Sequence, residues 1–209
     1  MSREPLGADE AARRLRSNAL RVAPAAAAKL AAFVELLLHW NRVHNLTGIR
    51  DRDELLDRHL VESLALEPLI AGETAADIGS GGGLPGIPLA IVLPGCRFTL
   101  IESRRKRASF LRHAAATLTL ANVEVAHSRA EALGPRQFAT VLARAVAPPQ
   151  ELLAIATPLV APGGRLVLLT GADKARETVA LADGFTPLPA VEGPQGLKSV
   201  IVALERKLP

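Results

Sequence analysis

Residues 75–86 read A-A-D-I-G-S-G-G-G-L-P-G and decide the fold. A short apolar run ends at Ile78, a glycine-rich turn follows, and a segment compatible with a helix begins near Gly86. A bare glycine backbone lets a bulky, partly charged cofactor approach closely, and a helix start offers free N–H groups. The stretch therefore predicts a strand, a tight loop and a helix N-terminus in an α/β enzyme that uses a nucleotide-type cofactor.

The sequence on either side of this stretch supports the same architecture. From residue 74 onward, β-rich runs alternate with helical ones, which is typical of a parallel sheet with crossover helices. Phe185 to Val191 and Ser199 to Leu204, joined by G-P-Q-G, predict a terminal antiparallel hairpin. The strands are expected over 74–78, 97–102, 122–127, 138–143, 164–170 and 198–205, and the helices over 86–93, 104–119, 148–160 and 172–182.

Residues 8–70 have a different character and are expected to be helical. Asp51 with Glu54 resembles a capping box, and the helix that follows is expected to end at Pro68. The predicted organisation is a helical extension over 1–70, followed by a Rossmann-like domain over 71–209.

Composition limits the functions open to this chain. Apolar residues make up 49%, so the chain is expected to fold, and aromatic residues are only 3%, which argues against RNA binding through many stacked aromatics. The single cysteine, Cys96, excludes an intramolecular disulfide and a cysteine-based metal cluster, and no metal site is predicted. No signal-peptide pattern or membrane-length apolar run is seen, so a soluble, cytoplasmic protein is expected. The net charge of +4 is compatible with a polyanionic partner.

The glycines fit two cofactor motifs. Gly81-x-Gly83-x-x-Gly86 fits the dinucleotide fingerprint, whereas Asp77 with Gly79-x-Gly81-x-Gly83 fits the D-x-G-x-G pattern of S-adenosylmethionine enzymes. Glu102 closes the next predicted strand and is able to bind a ribose diol in either class, so it does not separate them.

Further motifs carry a family resemblance. The chain resembles the bacterial RsmG (GidB) family of small-subunit ribosomal RNA guanine-N7 methyltransferases over roughly residues 38–171. The blocks that carry it are W-N-R-V-H-N-L-T (40–47), R-H-L-V-E-S-L (58–64), D-I-G-S-G-G-G-L-P-G-I-P-L-A-I (77–91), L-I-E-S-x-x-K-R-x-x-F-L (100–111), S-R-A-E (128–131) and A-R-A-V-A (143–147).

The resemblance implies a class I methyltransferase fold, S-adenosyl-L-methionine as cofactor and S-adenosyl-L-homocysteine as product. It also implies 16S rRNA in the small ribosomal subunit as substrate, modified at N7 of a guanine in the decoding-region loop, with no membrane and no obligate protein partner. The cofactor-binding residues would be Gly79, Ser80, Gly81, Gly83, Leu84, Glu102, Ser103, Ala130, Glu131 and Arg144. Thr170 stands where relatives often carry Lys, which puts any contact of that lysine in doubt.

Arg144 is the strongest single candidate outside the loop. It closes an apolar predicted strand, and a buried guanidinium needs a polar or anionic partner, which could be the cofactor carboxylate, the substrate base or a nearby acid. The resemblance adds His59 and Asn45 as further catalytic candidates, and Arg58, Lys106 and Arg107 as RNA-binding residues. A structural ion pair is the alternative for Arg144, and a structural pair with Glu62 is the alternative for His59.

Guanine N7 carries a lone pair and no proton, so such an enzyme needs alignment more than a general base. Two alternatives remain open at this stage. One is a methyltransferase acting on a small molecule or a protein, and the other is an NAD-binding oxidoreductase or nucleotide-binding module.

Overall fold

The computed structural model describes residues 4–134, 137–144, 146–190 and 199–208. Its N-terminal part is helical, with α1 at Ala8–Ser17 and α2 at Pro24–His44. A third helix, α3, runs over 52–64 in three segments: Arg52–Glu54, a π-helical stretch at Leu55–Leu60, and Val61–Leu64. A 3-10 turn at Glu67–Leu69 closes this part. The predicted helical extension is not continuous, because the chain leaves the helical conformation between α1 and α2 and between α2 and α3.

Local sequence explains where these helices begin and end. Pro24 stands at the first position of α2, where its missing N–H costs nothing. The helix ends at Asn45, which has a φ of 47° in the left-handed region. Asp51 caps α3, since its side chain accepts the Glu54 N–H at 2.8 Å, as the predicted cap requires.

A seven-stranded sheet follows, in the order β3-β2-β1-β4-β5-β7-β6. The first five strands pair in parallel, and β7 is antiparallel to both β5 and β6. The predicted terminal hairpin is therefore confirmed, although its G-P-Q-G turn lies outside the described residues. The strands are β1 Thr74–Ile78, β2 Arg97–Ile101, β3 Val123–Ala126, β4 Phe138–Arg144, β5 Val160–Thr170, β6 Phe185–Pro187 and β7 Val200–Arg206.

In the described residues, four α-helices connect the strands: α4 Gly86–Val92, α5 Arg105–Thr117, α6 Pro149–Ala156 and α7 Ala172–Leu181. The largest difference from expectation is at residues 148–160, predicted as one helix. Here α6 ends at Ala156, a 3-10 turn at Thr157–Leu159 follows, and β5 begins at Val160, four residues earlier than predicted. Pro158 lacks the N–H that a continuing helix needs, and Val160 instead pairs with Phe138 of β4.

Helices cover both faces of the sheet. One hydrophobic cluster joins α4 and α5 to the N-terminal helices, and the other packs α6 and α7 against the opposite face. Among the helices of the described residues, none is both long and apolar enough to cross a bilayer. Helices from residues 8–69 share a core with the sheet, and the division into domains at residue 70 stays a prediction.

Candidate active site

The crevice expected for a ligand lies at the carboxyl ends of the parallel strands. β1 pairs with β2 on one side and with β4 on the other, so chain order reverses at β1. Ile78 of β1 is level with Ile101 of β2 and with Ala143 of β4. In open α/β sheets, ligands bind at this reversal point, outside the strand ends.

The glycine loop leaves β1 at this point, and three of its residues have conformations that favour glycine. Gly79, Gly81 and Gly83 have φ values of 66°, 55° and 84°. A Cβ at Gly83 would also lie 2.7 Å from the Ile87 side chain. Backbone strain at the first two positions, and strain with a steric clash at the third, therefore require glycine here.

Glu102, at the end of β2, ties down this loop. One carboxylate oxygen accepts the Gly81 N–H at 3.0 Å, and the other accepts the Arg104 N–H at 2.7 Å. Its side chain is buried, and its partners are backbone groups rather than the basic side chains that follow it. A ribose hydroxyl that bound Glu102 would have to donate to a carboxylate oxygen that already accepts one of these two hydrogen bonds.

Asp77, Ser80 and Leu84 have buried side chains, and Ser80 and Leu84 belong to the loop itself. The Asp77 carboxylate accepts the Gly86 N–H at 3.2 Å, and the Ser80 hydroxyl donates to the Asp77 carbonyl at 2.8 Å. Leu84 is packed in the core. Because Asp77 is 1% exposed, it anchors the start of α4 rather than reaching into the crevice.

Burial also changes the acidity of Asp77. Desolvation raises its pKa to about 7, and the hydrogen bond from the Gly86 N–H and the charge of Arg144 only partly oppose that rise. Its second carboxylate oxygen, Oδ1, has no hydrogen-bond partner in the described part of the chain.

A cleft of about 220 Å³ opens beside Gly79. It brings together four of the predicted cofactor-binding residues, from the ends of β1, β2 and β3: Gly79, Ser103, Ala130 and Glu131. The other six predicted residues do not line it: Ser80, Gly81, Gly83, Leu84, Glu102 and Arg144.

The cleft has a further wall that the sequence analysis missed. Val146, Ala147, Glu151 and Ile155 line it from the end of β4 and from α6. Their signal was present, because residues that follow a parallel strand face the same edge as the glycine loop.

Arg144 has a different environment from the cleft. Its guanidinium Nη2 lies 3.2 Å from Glu62 Oε2 and contacts His59 Nδ1, both on α3. The side chain is 20% exposed. Of the partners considered for Arg144, the structure shows a nearby acid, Glu62, with His59 beside it.

Glu62 is the centre of this cluster. Its side chain is fully buried, and His59 Nδ1 lies 3.2 Å from Oε2, while Ser199 donates to Oε1 at 3.0 Å. Burial raises the pKa of Glu62, but hydrogen bonds from His59 and Ser199 and the charge of Arg144 outweigh it and lower the pKa to about 2. Glu62 is therefore a carboxylate at neutral pH, and it joins α3, β4 and the residue before β7.

Nδ1 of His59 lies between Glu62, whose carboxylate accepts hydrogen bonds, and Arg144, whose guanidinium only donates. Nδ1 donates to Glu62 when it carries the ring proton, and it accepts from Arg144 when that proton is on Nε2. Nε2 lies 3.8 Å from Glu54 Oε1. His59 belongs to the π-helical segment, a local geometry often found at functional sites.

The remaining predicted residues do not form one group, and each has its own surroundings. Arg58 pairs with Glu54 at 3.2 Å and with Glu62 at 3.4 Å. Asn45 is exposed at the C-terminal end of α2, and its side-chain oxygen accepts a hydrogen bond from Arg50 at 3.1 Å. Arg107 lies beside the glycine loop, because a Cβ at Gly81 would be 4.0 Å from its Nη1. Lys106 is exposed on the same turn of α5.

This geometry suits ligand binding and alignment more than proton transfer. The cleft combines apolar side chains with the Gly79 backbone and with polar and charged side chains such as Ser103 and Glu131, which fits a nucleoside-bearing cofactor. Within the described residues, no three His, Cys, Asp or Glu side chains are arranged to hold a metal ion.

Comparison with known proteins gives a consistent result. The sequence model of the GidB family, described as rRNA small subunit methyltransferase G, matches residues 26–191. A ribosomal RNA small subunit methyltransferase G from Xanthomonas euvesicatoria pv. vesicatoria is 44% identical over 179 residues, covering 82% of this chain and 84% of that protein.

Solved structures resemble the fold. A putative O-methyltransferase from Klebsiella pneumoniae superposes with a TM-score of 0.59 at 15% identity, covering 85% of this chain and 90% of its own. A SAM-dependent O-methyltransferase from Thermotoga maritima gives a TM-score of 0.58 at 14% identity, covering 83% and 72%. The predicted class I methyltransferase architecture is confirmed.

Proposed function

The chain belongs to the GidB family of rRNA small subunit methyltransferase G, and from that premise we propose that it methylates N7 of a guanine in 16S rRNA, using S-adenosyl-L-methionine. The guanine would lie in the decoding-region loop of the small ribosomal subunit, and the reaction would take place in the cytoplasm. The observation that carries the proposal is the glycine loop with three left-handed glycines, bordering a cleft at the strand reversal in a chain of this family.

The cleft fits the cofactor on its own geometry. Gly79 is exposed where it borders the cleft, and Ala130, Glu131, Val146 and Ala147 also line it. We propose that the loop, including Ser80, Gly81, Gly83 and Leu84, supports the methionine part, that Glu102 and Ser103 hold the ribose, and that Ala130 and Glu131 border the adenine. S-adenosyl-L-methionine supplies an electrophilic methyl group on a sulfonium when it is bound.

The protein's part in the reaction is then to align and to exclude water. Guanine N7 attacks with a lone pair and loses no proton, so none of the side chains near the crevice has to act as a general base. Because the methylated ring becomes cationic, an unpaired cation beside it would oppose the reaction. Arg144 is paired with Glu62, and this pairing offsets its charge. We assign Arg144, His59 and Asn45 to the surroundings of the base, and Arg58, Lys106 and Arg107 to RNA phosphates.

The test is methyl transfer to small subunits from a strain that lacks the enzyme. The purified protein should transfer about one tritiated methyl group per subunit, and borohydride with aniline should then cut the 16S rRNA at a single guanine in the decoding-region loop. Subunits that already carry the methyl group should accept none. Label in protein or in another base would refute the assignment.

A pair of glycine variants connects the transfer to the proposed cofactor site. A Cβ at Gly79 would lie 3.2 Å from Val146, at a φ that disfavours side chains, whereas Gly95 has no neighbour within 4 Å. Gly79→Val should abolish both transfer and the rise in Tm given by S-adenosyl-L-homocysteine, and Gly95→Val should preserve both. A Tm rise with NAD instead would indicate the oxidoreductase class.

A further inference from the structure

Two stretches of the chain hold an uneven share of its charge. Residues 36–50 and 104–117 contain seven of the 25 Lys and Arg side chains and none of the 21 Asp and Glu. The rest of the chain therefore has 18 basic and 21 acidic side chains, so the positive excess lies in these stretches. The seven are Arg42, Arg50, Arg104, Arg105, Lys106, Arg107 and Arg112.

These cations are open to a partner. Six of them are exposed, and Arg107 is half-buried. Across the residues that the structure describes, none of the seven side chains forms an ion pair. Concentrated cations that form no ion pair attract a polyanion, and they do so more strongly than the net charge of +4 suggests.

The fold brings the two stretches together around the chain's only tryptophan. Trp40 of α2 packs on α5, with its ring centroid 5.6 Å from Phe110 and 5.2 Å from His113. His44, one turn further along α2, lies 5.1 Å from Trp40. The indole is half-buried, while both imidazoles are exposed. We call the seven cations with Trp40, His44 and His113 the basic face.

The basic face borders the glycine loop. A Cβ at Gly82 would lie 3.1 Å from the Leu37 side chain of α2, and Arg107 of α5 is beside Gly81. A chain held on this face would therefore continue toward the proposed cofactor cleft.

We propose that the basic face binds a single-stranded or looped RNA segment, with its cations on phosphates and the exposed His44 and His113 rings stacked on bases. This inference rests on the proposed function and extends it to the surface that holds the substrate. Phosphates explain the unpaired cations, and exposed flat rings on the same two helices suit unstacked bases, which paired RNA does not offer. A purely electrostatic partner, such as an acidic protein segment, would leave the rings without a role.

The phosphate part of the proposal is tested by fluorescence anisotropy, with a labelled RNA hairpin of the decoding-region sequence over a range of KCl concentrations. Arg42→Gln with Arg112→Gln removes two exposed cations of the face that are remote from the glycine loop in sequence. The slope of log Kd against log[KCl] should fall by about 1.4, with affinity weaker on the order of ten-fold at low salt. Arg13→Gln with Arg16→Gln removes the same charge from the exposed side of α1 and should change neither quantity.

The stacking part has its own variants. His44→Ala with His113→Ala should weaken binding about five-fold or more with an unchanged salt slope, since stacking depends little on counterions. His39→Ala removes an exposed imidazole of α2 that has no ring contact in the described residues, and it should have no effect. Poly-glutamate of equal charge should compete poorly; competition equal to that of unlabelled RNA would overturn the RNA assignment.

The outcomes separate this proposal from the proposed function. If the protein transfers methyl groups normally to small subunits, and if the double arginine variant and the double histidine variant both bind the hairpin as wild type does, only the proposed role of the basic face is refuted. If the unmodified protein neither binds the hairpin nor transfers methyl groups, both proposals fail. In every variant, the Tm rise with S-adenosyl-L-homocysteine should stay at the wild-type value, since no substitution touches the cofactor cleft.

Discussion

Glu62 is a buried charge on which the stability of the fold is expected to depend. Glu62→Gln keeps the shape but removes the charge that Arg144 and Arg58 face, and it leaves Arg144, 20% exposed, without its anion. Breaking a buried pair of this kind should lower the free energy of unfolding by about 3 kcal/mol. Urea denaturation at pH 7 measures the change.

Glu54→Gln is the matched control for Glu62→Gln. Glu54 also pairs with Arg58 on α3, but its side chain is 46% exposed, so its loss should cost less than about 1 kcal/mol. Equal losses for the two variants would show that burial of Glu62 does not determine its contribution.

Asp77 should make stability fall as the pH rises. Its folded pKa is raised to about 7 by burial, above its ordinary value of 3.8, so the folded protein binds a proton that the unfolded chain releases between these values. The loss of folding stability caused by ionising the buried carboxyl is therefore small near pH 4 and reaches its full value above pH 7. Asp77→Asn removes it, so the stability of the variant relative to wild type should increase by about 2 kcal/mol or more between pH 5 and pH 8.

The readout for Asp77 is the pH dependence and not the absolute stability, because the new amide also alters local hydrogen bonding. Thermal or urea unfolding at four pH values gives the curve, and Asp183→Asn, at an exposed position, serves as the control. A relative stability of Asp77→Asn that is constant or declines with pH would rule out a buried neutral carboxyl at Asp77.

Among the elements, α4 depends on a close approach to the sheet that only glycine allows. A Cβ at Gly86 would clash with the Leu100 side chain of β2 and would lie 2.7 Å from Asp77 Oδ2, while its φ is an ordinary one. Gly86→Ala should therefore destabilise by about 2 kcal/mol through overpacking, although alanine favours a helix. Urea midpoints test this.

Gly95→Ala is the control for Gly86→Ala, since nothing lies within 4 Å of its Cβ position. A Gly86→Ala protein as stable as wild type would mean that α4 shifts freely over β1 and β2.

Elements of the sheet were predictable where the pattern was local. The apolar run and glycine turn at 75–86 gave β1 and α4 within a residue, because both depend on neighbours in sequence. The start of β5 was not predictable, since Val160 joins the sheet through pairing with Phe138, which is distant in sequence. The π-helical segment of α3 was not predictable either, because no residue type in L-L-D-R-H-L distinguishes it from an α-helix.

The candidate site was likewise predictable from the sequence only in part. Positive φ at Gly79, Gly81 and Gly83 follows from residue type, and Arg144 was expected to need a polar or anionic partner. Which partner it has depends on how α3 lies across β4, and local sequence does not contain that information. The same holds for the basic face, because its two stretches are adjacent only after α2 packs on α5.

For the whole molecule, the shared core predicts a single unfolding transition. The cluster that contains Leu37 and Phe33 of α2 also contains Leu111 of α5 and Leu100 of β2. Neither the N-terminal helices nor the sheet face beneath them is buried without the other, so loss of one exposes the other to water. The predicted boundary at residue 70 would then separate two parts of one cooperative unit.

Two probes test this cooperativity. Trp40 fluorescence reports on the contact of α2 with α5, and far-UV circular dichroism reports on all helices and strands. Their urea midpoints should coincide, and Leu37→Ala, in a fully buried position, should lower both by the same amount, equivalent to roughly 3 kcal/mol. If the helical extension unfolds as a separate domain, the fluorescence midpoint will lie at a lower urea concentration than the circular dichroism midpoint, and Leu37→Ala will lower only the fluorescence midpoint. In that case β1 to β7 would have to remain folded with Ile87, Leu100 and Leu111 facing water, which the size of this shared cluster makes unfavourable.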